Sequence, residues 1–267
     1  MRVGYVQFAP EFGEVEGNLA RIAALVRRER ADLWVLPELC TTGYQFASPG
    51  EVEALAEPVP EGQSTAFLTS LARERNCHIV AGLAERAGGR VYNSAVLVGP
   101  GGLVARYRKL HLFYEERNLF SPGDLPFPVA DTGLAKVGLL VCYDHLFPEA
   151  ARCLALAGAE VLAHPANLVM PGLGQLTMRV RALENRVFAV TANRVGTECR
   201  TGETLRFTGL SQVVAPNGDV LAQGPQEGED VKAVEIDPTK ARDKLLTRLN
   251  DVFADRRPGF YRRILES

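Results

Sequence analysis

Three residues with side chains suited to catalysis each stand at the end of an apolar stretch. Glu38 closes WVLPE, Lys109 closes RYRK, and Cys142 follows Leu139-Leu140-Val141. A carboxylate can move protons, an ammonium can stabilise an anion, and a thiol can attack an electrophilic carbon. Sites in α/β folds collect at the C-terminal ends of strands, so we expect the three side chains to lie together. Spacing alone leaves open the alternative that Glu38 and Lys109 simply emerge into solvent.

Cys142 is predicted to lie in a turn between a buried strand and a helix. It is the fourth residue of LLVCYDHLFPEAAR, in which the residues from His145 onward predict the start of a helix and Pro148 fits its first turn. Free N–H groups at a helix start can hold an oxyanion. Together with Lys109 they would favour the thiolate form of Cys142. We therefore expect a reactive nucleophile; the alternative is an inert core cysteine.

The remaining thiols and the histidines indicate no metal or redox site. The five cysteines are scattered and form no CxxC pair, which excludes a zinc finger, a disulfide framework and a motif with a resolving cysteine. The four histidines form no spacing that identifies a Cys–His pair. A zinc site made of Cys142, His145 and His164 would need an unusual loop, so no metal is expected. The cysteines expected to be structural are Cys40, Cys77, Cys153 and Cys199.

Composition excludes several classes of partner. The chain has 267 residues and a formal net charge of -2, which gives no indication of a nucleic-acid partner. No apolar run approaches the roughly 18 residues of a membrane span. MRVGYVQFAP lacks the apolar core of a signal peptide. With its unpaired cysteines, this pattern predicts a cytoplasmic protein without membrane contact.

Strands and helices are predicted in an order typical of a mixed α/β domain. Apolar residues at helical spacing predict the helices, and short apolar runs predict the strands. The turn sequences GPGG at 99–102 and NGD at 217–219 predict hairpins. Helices are predicted over 16–30, 63–76, 147–157 and 174–186, and from Pro238. Strands are predicted over 2–9, 32–36, 77–83, 91–98, 103–107, 136–142, 160–163, 187–192, 211–223 (a hairpin) and 231–236.

Three blocks of the sequence resemble the signature motifs of the nitrilase superfamily, the carbon–nitrogen hydrolases. They are PELCTTGYQF (37–46), YRKLHLFYEERNLFSPGD (107–124) and LLVCYDHLFPEAAR (139–152), and the resemblance runs from residue 2 to about 261. It implies one domain over residues 1–267 with an αββα fold: two mixed sheets packed together and flanked by helices. It also implies catalysis without a metal or organic cofactor.

The resemblance assigns roles residue by residue. Glu38 falls on the family's general base, Lys109 on its lysine and Cys142 on its nucleophile. A second glutamate falls on Glu116, although its neighbour Glu115 is an alternative for that position.

Substrate contacts are also implied. Tyr44 and Asn167 resemble pocket positions of the family, and the N–H of Tyr143 would help to hold the oxyanion. Further wall residues would be Phe113, His145 and Val169. Asp144 is expected to pin the turn. A structural ion-pair network is expected from Arg181, Glu184 and Asn185.

The resemblance implies a hydrolase of small carboxamides or aliphatic nitriles that releases ammonia and a carboxylate through a cysteine thioester. The alternatives are an N-carbamoyl amide hydrolase or an enzyme like omega-amidase, and a catalytically silent member that acts as a binding module. An anionic substrate would need a pocket arginine, for which Arg179 and Arg194 are the candidates. All four catalytic positions are filled, which argues against the silent member.

The C-terminal tail is predicted to be an interface. Residues 249–267 include Leu249, Val252, Phe253, Phe260 and Tyr261 without helical periodicity. The resemblance implies that this tail crosses a two-fold axis, in a homodimer or a higher oligomer; the alternative is that it folds back on its own domain.

Overall fold

Two six-stranded sheets form the centre of the structure, a computed structural model that describes residues 1–266. The strands are β1 (Arg2–Gln7), β2 (Leu33–Val35), β3 (His78–Ala87), β4 (Arg90–Gly99), β5 (Gly102–Arg108), β6 (Val129–Asp131), β7 (Lys136–Leu139), β8 (Val161–Ala166), β9 (Phe188–Asn193), β10 (Thr197–Glu198), β11 (Leu205–Arg206), β12 (Gln212–Val214), β13 (Val220–Gln223), β14 (Asp230–Glu235), β15 (Leu245–Thr247) and β16 (Asn250–Asp251). The helices are α1 (Val15–Val26), α2 (Pro49–Leu55), α3 (Gln63–Arg75), α4 (Glu116–Leu119), α5 (Pro148–Leu156) and α6 (Leu173–Asn185).

Both large sheets are mixed. The first has the order β14-β1-β2-β3-β4-β5, and its parallel pairs are β1–β2 and β2–β3. The second has the order β13-β12-β9-β8-β7-β6, and its parallel pairs are β7–β8 and β8–β9. Two short hairpins, β10–β11 and β15–β16, lie outside these sheets. Parallel strands end at the same edge of their sheet, which brings the segments after them together.

Alternation along the strands builds the layers. In β2, Leu33 and Val35 belong to the core between the sheets, whereas Trp34 packs with the helices α1 and α3 on the outer face. Met178 of α6 and Leu154 of α5 pack against the second sheet. Strands buried on both faces require such nearly continuous apolar runs. The predicted αββα sandwich is confirmed.

Several predicted boundaries are wrong. The helix predicted over 16–30 ends at Val26, where the charged run 27–30 replaces apolar residues. The helix predicted from Pro238 is a 3₁₀ turn, Pro238–Ala241, capped by the Asp237 carboxylate. A 3₁₀ turn, Cys142–Leu146, separates the thiol from α5. Several short elements were not predicted at all, among them α2, β6 and both small hairpins.

Part of the tail folds back on its own domain, and the rest of its apolar side chains are exposed. Phe253 packs against the core of its own chain, with the Arg152 guanidinium 5.1 Å from its ring. Leu249, Phe260 and Leu265 are largely exposed. None of the helices within residues 1–266 is long and apolar enough to cross a membrane.

Candidate active site

Glu38 lies three residues beyond the end of β2 and is fully buried. Its Oε1 accepts hydrogen bonds from Lys109 Nζ and from Asn93 Nδ2, each at 2.7 Å. Its Oε2 has no partner in the part of the chain that the structure describes. Glycine at position 82 allows this packing, since a Cβ there would lie 2.5 Å from Glu38 Cα. One carboxylate oxygen is therefore fixed and the other is available.

Lys109, the residue after β5, joins two carboxylates in the interior. Its Nζ donates to Glu38 Oε1 at 2.7 Å and to Glu116 Oε1 at 2.8 Å. The Tyr44 hydroxyl also donates to Glu116 Oε1, at 2.8 Å. Glu115 is exposed and accepts instead from Asn118 Nδ2. Of the two glutamates considered for the second position, the structure places Glu116 in the cluster.

Burial and neighbouring charges set the protonation of this cluster. Burial and, to a smaller extent, the negative charge of Glu38 raise the pKa of Glu116 from 4.5 to about 7, although the positive charge of Lys109 opposes this shift. Burial alone would lower the pKa of Lys109, but Glu116 and Glu38 outweigh it and raise that pKa. Lys109 therefore remains an ammonium at neutral pH.

Cys142 begins the 3₁₀ turn in a left-handed backbone conformation, with φ of 43°. Such a conformation is unfavourable for a residue with a side chain and persists only where its surroundings enforce it. Asp144 Oδ2 accepts from the Val141 backbone N–H and the Tyr107 hydroxyl, both at 2.8 Å. His164 Nε2 donates to the Cys142 carbonyl at 3.0 Å. As predicted, Asp144 pins the turn.

The predicted thiolate is wrong. Burial raises the pKa of the Cys142 thiol well above its ordinary range, and the Glu38 carboxylate raises it further. Lys109 and a hydrogen bond from the Asn167 backbone lower it, but by less. A turn at the end of a strand is expected to be exposed, whereas Cys142 is only 4% exposed. The resting side chain is a thiol that needs a proton acceptor.

A small pocket of about 30 Å³ opens above Cys142, well below the roughly 300–1,000 Å³ usual for ligand pockets. It includes the predicted Tyr143 and Asn167 and the predicted wall residues. Asn167 Nδ2 donates to the Glu38 carbonyl at 2.9 Å, and its Oδ1 has no partner among residues 1–266. Tyr44 borders an adjacent cleft beside Glu116 instead. The pocket is lined by Phe113, Cys142, Tyr143, His145, Leu146, Asn167, Leu168, Val169, Met170, Leu173 and Gly174.

Neither candidate arginine reaches this pocket. Arg179 is exposed and donates to the Gly218 carbonyl. Arg194 is buried in an ion pair with Glu198. Arg181 pairs with Glu184 and its carbonyl accepts from Asn185, which is the structural network that was predicted. The pocket wall thus carries no cationic side chain.

Two residues that hold the site were not recognised in the sequence. Asn93 lies within β4 and binds Glu38, and His164 lies within β8 and binds the Cys142 carbonyl. His164 is the one polar side chain in VLAHPA, and Asn93 and Ser94 precede the apolar run AVLVG of β4, so a buried polar side chain beside apolar residues is the available signal. Over residues 1–266, no group of three or more His, Cys, Asp or Glu side chains could hold a metal ion.

The sequence profile described as carbon-nitrogen hydrolase matches residues 2–244. The chain belongs to this family. It is 47% identical over 264 residues to a nitrilase from Pyrococcus abyssi, an alignment that covers 98% of this chain and 99% of the relative.

Solved structures agree with this membership of the nitrilase superfamily. A carbon–nitrogen hydrolase from Helicobacter pylori G27 has a TM-score of 0.90 and 31% identity, with 100% of this chain and 98% of that chain covered. A mutant amidase from Nesterenkonia sp. AN1, bearing the product of acrylamide addition at its active-site cysteine, has a TM-score of 0.81 and 29% identity, with 99% of each chain covered. This carbon–nitrogen hydrolase is therefore an enzyme that acts on the C–N bond of an amide or a nitrile.

Proposed function

We propose that this carbon–nitrogen hydrolase converts a small, uncharged carboxamide into ammonia and a carboxylate through a thioester on Cys142. The observation that carries the proposal is the buried cluster of Glu38, Lys109 and Glu116 that shares the interior with the Cys142 thiol. A base, a cation and a nucleophile held together are the parts that acyl transfer requires.

The first step is attack on the carbonyl carbon. The thiol is protonated at rest, so its proton must leave as the C–S bond forms. Glu38 accepts it on Oε2, the oxygen without a partner. The Lys109 ammonium and the N–H of Tyr143 stabilise the negative oxygen of the tetrahedral intermediate. Removal of one such donor usually lowers kcat by about 10²- to 10³-fold.

The second step releases nitrogen and then the acid. Glu38 returns its proton to the amide nitrogen, the C–N bond breaks, and ammonia departs from a thioester. Glu38 then removes a proton from water while the water attacks the thioester carbon, with Glu116 positioning that water. The C–S bond breaks, the thiol regains a proton, and the carboxylate leaves. A nitrile would follow the same sequence through a thioimidate and consume one further water.

The pocket wall favours an uncharged substrate. Its residues are mostly apolar and none is charged, which matches a short neutral amide or nitrile better than a dicarboxylic monoamide. The omega-amidase alternative required an arginine, and Arg179 and Arg194 lie elsewhere. Tyr44 would act indirectly, by holding Glu116 from the adjacent cleft.

We further propose that residues 1–267 act as one hydrolase domain within a cytoplasmic homodimer. All five cysteines are free, as suits a reducing compartment. Apolar side chains remain exposed on α6 and on the tail at 249–267, where a second copy would cover them.

A screen for ammonia release tests the proposal. Propionamide, isobutyramide, an N-carbamoyl compound, a dicarboxylic monoamide and propionitrile would be incubated with the wild type and with Cys142→Ala. We expect turnover of the neutral amides by the wild type and a loss of at least about 10³-fold in the variant, since catalytic residues that act as a unit fail together. Folded wild type that releases no ammonia from any compound would contradict the proposal and favour a silent binding module.

A further inference from the structure

We infer that His145 makes the pocket selective for acyl groups that carry an O–H or N–H donor. The His145 ring belongs to the pocket wall, and its Nδ1 lies 2.6 Å from Thr177 Oγ1. This inference rests on the proposed function, because it names the substrate class of the same site.

Thr177 fixes the tautomer of His145. The threonine hydroxyl has one hydrogen, which is directed to the carbonyls of Leu173 at 2.9 Å and Gly174 at 3.1 Å. Its oxygen therefore accepts from His145, and Nδ1 carries the ring proton. Nε2 is left as a lone-pair acceptor on a ring that lines the pocket.

The surroundings keep this ring neutral. Burial lowers the pKa of His145 to about 4, and the positive charges of Arg181 and Lys109 lower it further, against Asp144. The Arg181 Nε donates to the His145 carbonyl at 3.1 Å, which keeps that guanidinium beside the residue. At neutral pH Nε2 accepts hydrogen bonds and donates none.

The acyl part of the substrate occupies this pocket. Glu38, which gives a proton to the leaving nitrogen, is absent from the pocket wall, so the nitrogen lies on the other side of the thiol. A second acceptor, Asn167 Oδ1, lacks a partner, and the amide nitrogen of Asn167 is already bound to the Glu38 carbonyl. A short apolar chain that bears a hydroxyl or N–H group satisfies such a wall. A purely apolar chain leaves these acceptors unpaired, which is unfavourable.

Lactamide and isobutyramide form the decisive pair, because a hydroxyl in the first replaces a methyl in the second. For the wild type we expect kcat/KM for the better lactamide enantiomer to exceed that for isobutyramide about tenfold or more. His145→Leu should reduce this ratio to about one. His145→Gln keeps an acceptor and should retain part of the preference. Met170→Leu alters the same wall without changing an acceptor and should leave the ratio unchanged.

Binding measured without turnover separates this inference from the proposed function. Calorimetric titration of Cys142→Ala should show tighter binding of lactamide than of isobutyramide, and the double variant with His145→Leu should bind both equally. This result would support the role of His145 even if the wild type released no ammonia. The inference would be overturned if the preference for lactamide over isobutyramide were the same with and without His145. Thermal unfolding of the variants must show an intact fold in that comparison.

Discussion

Cys142 is one of three residues near the site with a backbone conformation that side chains disfavour. Leu39, which follows Glu38, has φ of 47°, Tyr114 near Glu116 has φ of 48°, and Cys142 has φ of 43°. Strain of this kind persists where packing and hydrogen bonds enforce it, and it clusters at functional sites. At Cys142 the enforcing contacts come from Asp144 and His164. The geometry of the thiol is therefore set before substrate arrives.

The protonation of Glu116 gives a prediction about stability. Its pKa is about 7 in the folded chain against 4.5 ordinarily, so the folded state binds more protons between these values. Its contribution to stability is therefore lost as pH rises from about 4.5 to 7. Glu116→Gln removes this loss. We expect the melting temperature of the variant minus that of the wild type to increase as the pH rises from 5 to 8. The activity of the variant should be much lower than that of the wild type.

Glu115→Gln is the matched control, because Glu115 is the exposed neighbour. Its melting temperature relative to wild type should not change with pH. Scanning calorimetry at several pH values measures both differences. A difference for Glu116→Gln that stays flat or shrinks as pH rises would show that the folded chain does not raise this pKa.

Strand β3 controls where Glu38 lies. A methyl group on residue 82 would meet Glu38 Cα at 2.5 Å and Leu39 N at 2.7 Å, and neither backbone atom can move freely. We expect Gly82→Ala to lower the melting temperature and to reduce kcat/KM by at least about tenfold, since misplacing catalytic groups by about 1 Å is costly. Gly17→Ala is the control, because a Cβ there would lie 3.8 Å from Glu14 Cβ, an ordinary contact, and alanine favours the helix by about 1 kcal/mol. Full activity in Gly82→Ala would mean that this close packing does not position the carboxylate.

At the level of elements, the sequence predicted the long strands and helices because each has a regular apolar period. It predicted Glu38, Lys109 and Cys142 at strand ends, and the structure brings the first two within 2.7 Å. It could not predict hydrogen bonds across the sheets, such as that of Asn93, because they depend on register between distant segments. It also misjudged the thiol, because burial depends on which segments cover the turn rather than on neighbours in the chain.

The whole molecule exposes a set of apolar side chains that do not line the pocket. On α6, Leu176 and Leu183 are 60% and 45% exposed, and in the tail Leu249 and Phe260 are 72% and 76% exposed. Burial of such surface contributes about 25 cal/mol per Å². Helix α6 also provides Arg181 and Thr177, which contact His145. An interface on this helix would therefore support the pocket.

Deletion of residues 249–267 should weaken the dimer and reduce activity together. Leu176→Asp, which places a charge on α6, should weaken the dimer in the same way, whereas Val104→Asp changes an exposed apolar residue on β5 and should not. Sedimentation at micromolar concentration, with activity measured on the same samples, tests both expectations. A fully active monomer of the intact chain would contradict them.

In the proposed mechanism, the acyl group of the substrate becomes bonded to Cys142. Glu116→Gln should slow thioester hydrolysis, so incubation with propionamide, quenching in acid and digestion with trypsin should capture the intermediate. Cleavage after Lys136 and Arg152 yields VGLLVCYDHLFPEAAR, in which Cys142 is the only cysteine. We predict that mass spectrometry will find the propionyl group on this peptide, and on neither the peptide with Cys153 nor that with Cys199. Two results would contradict this mechanism, provided that the wild type turns over propionamide. One is the absence of an acyl group from this peptide in the variant, and the other is an acyl group on another residue.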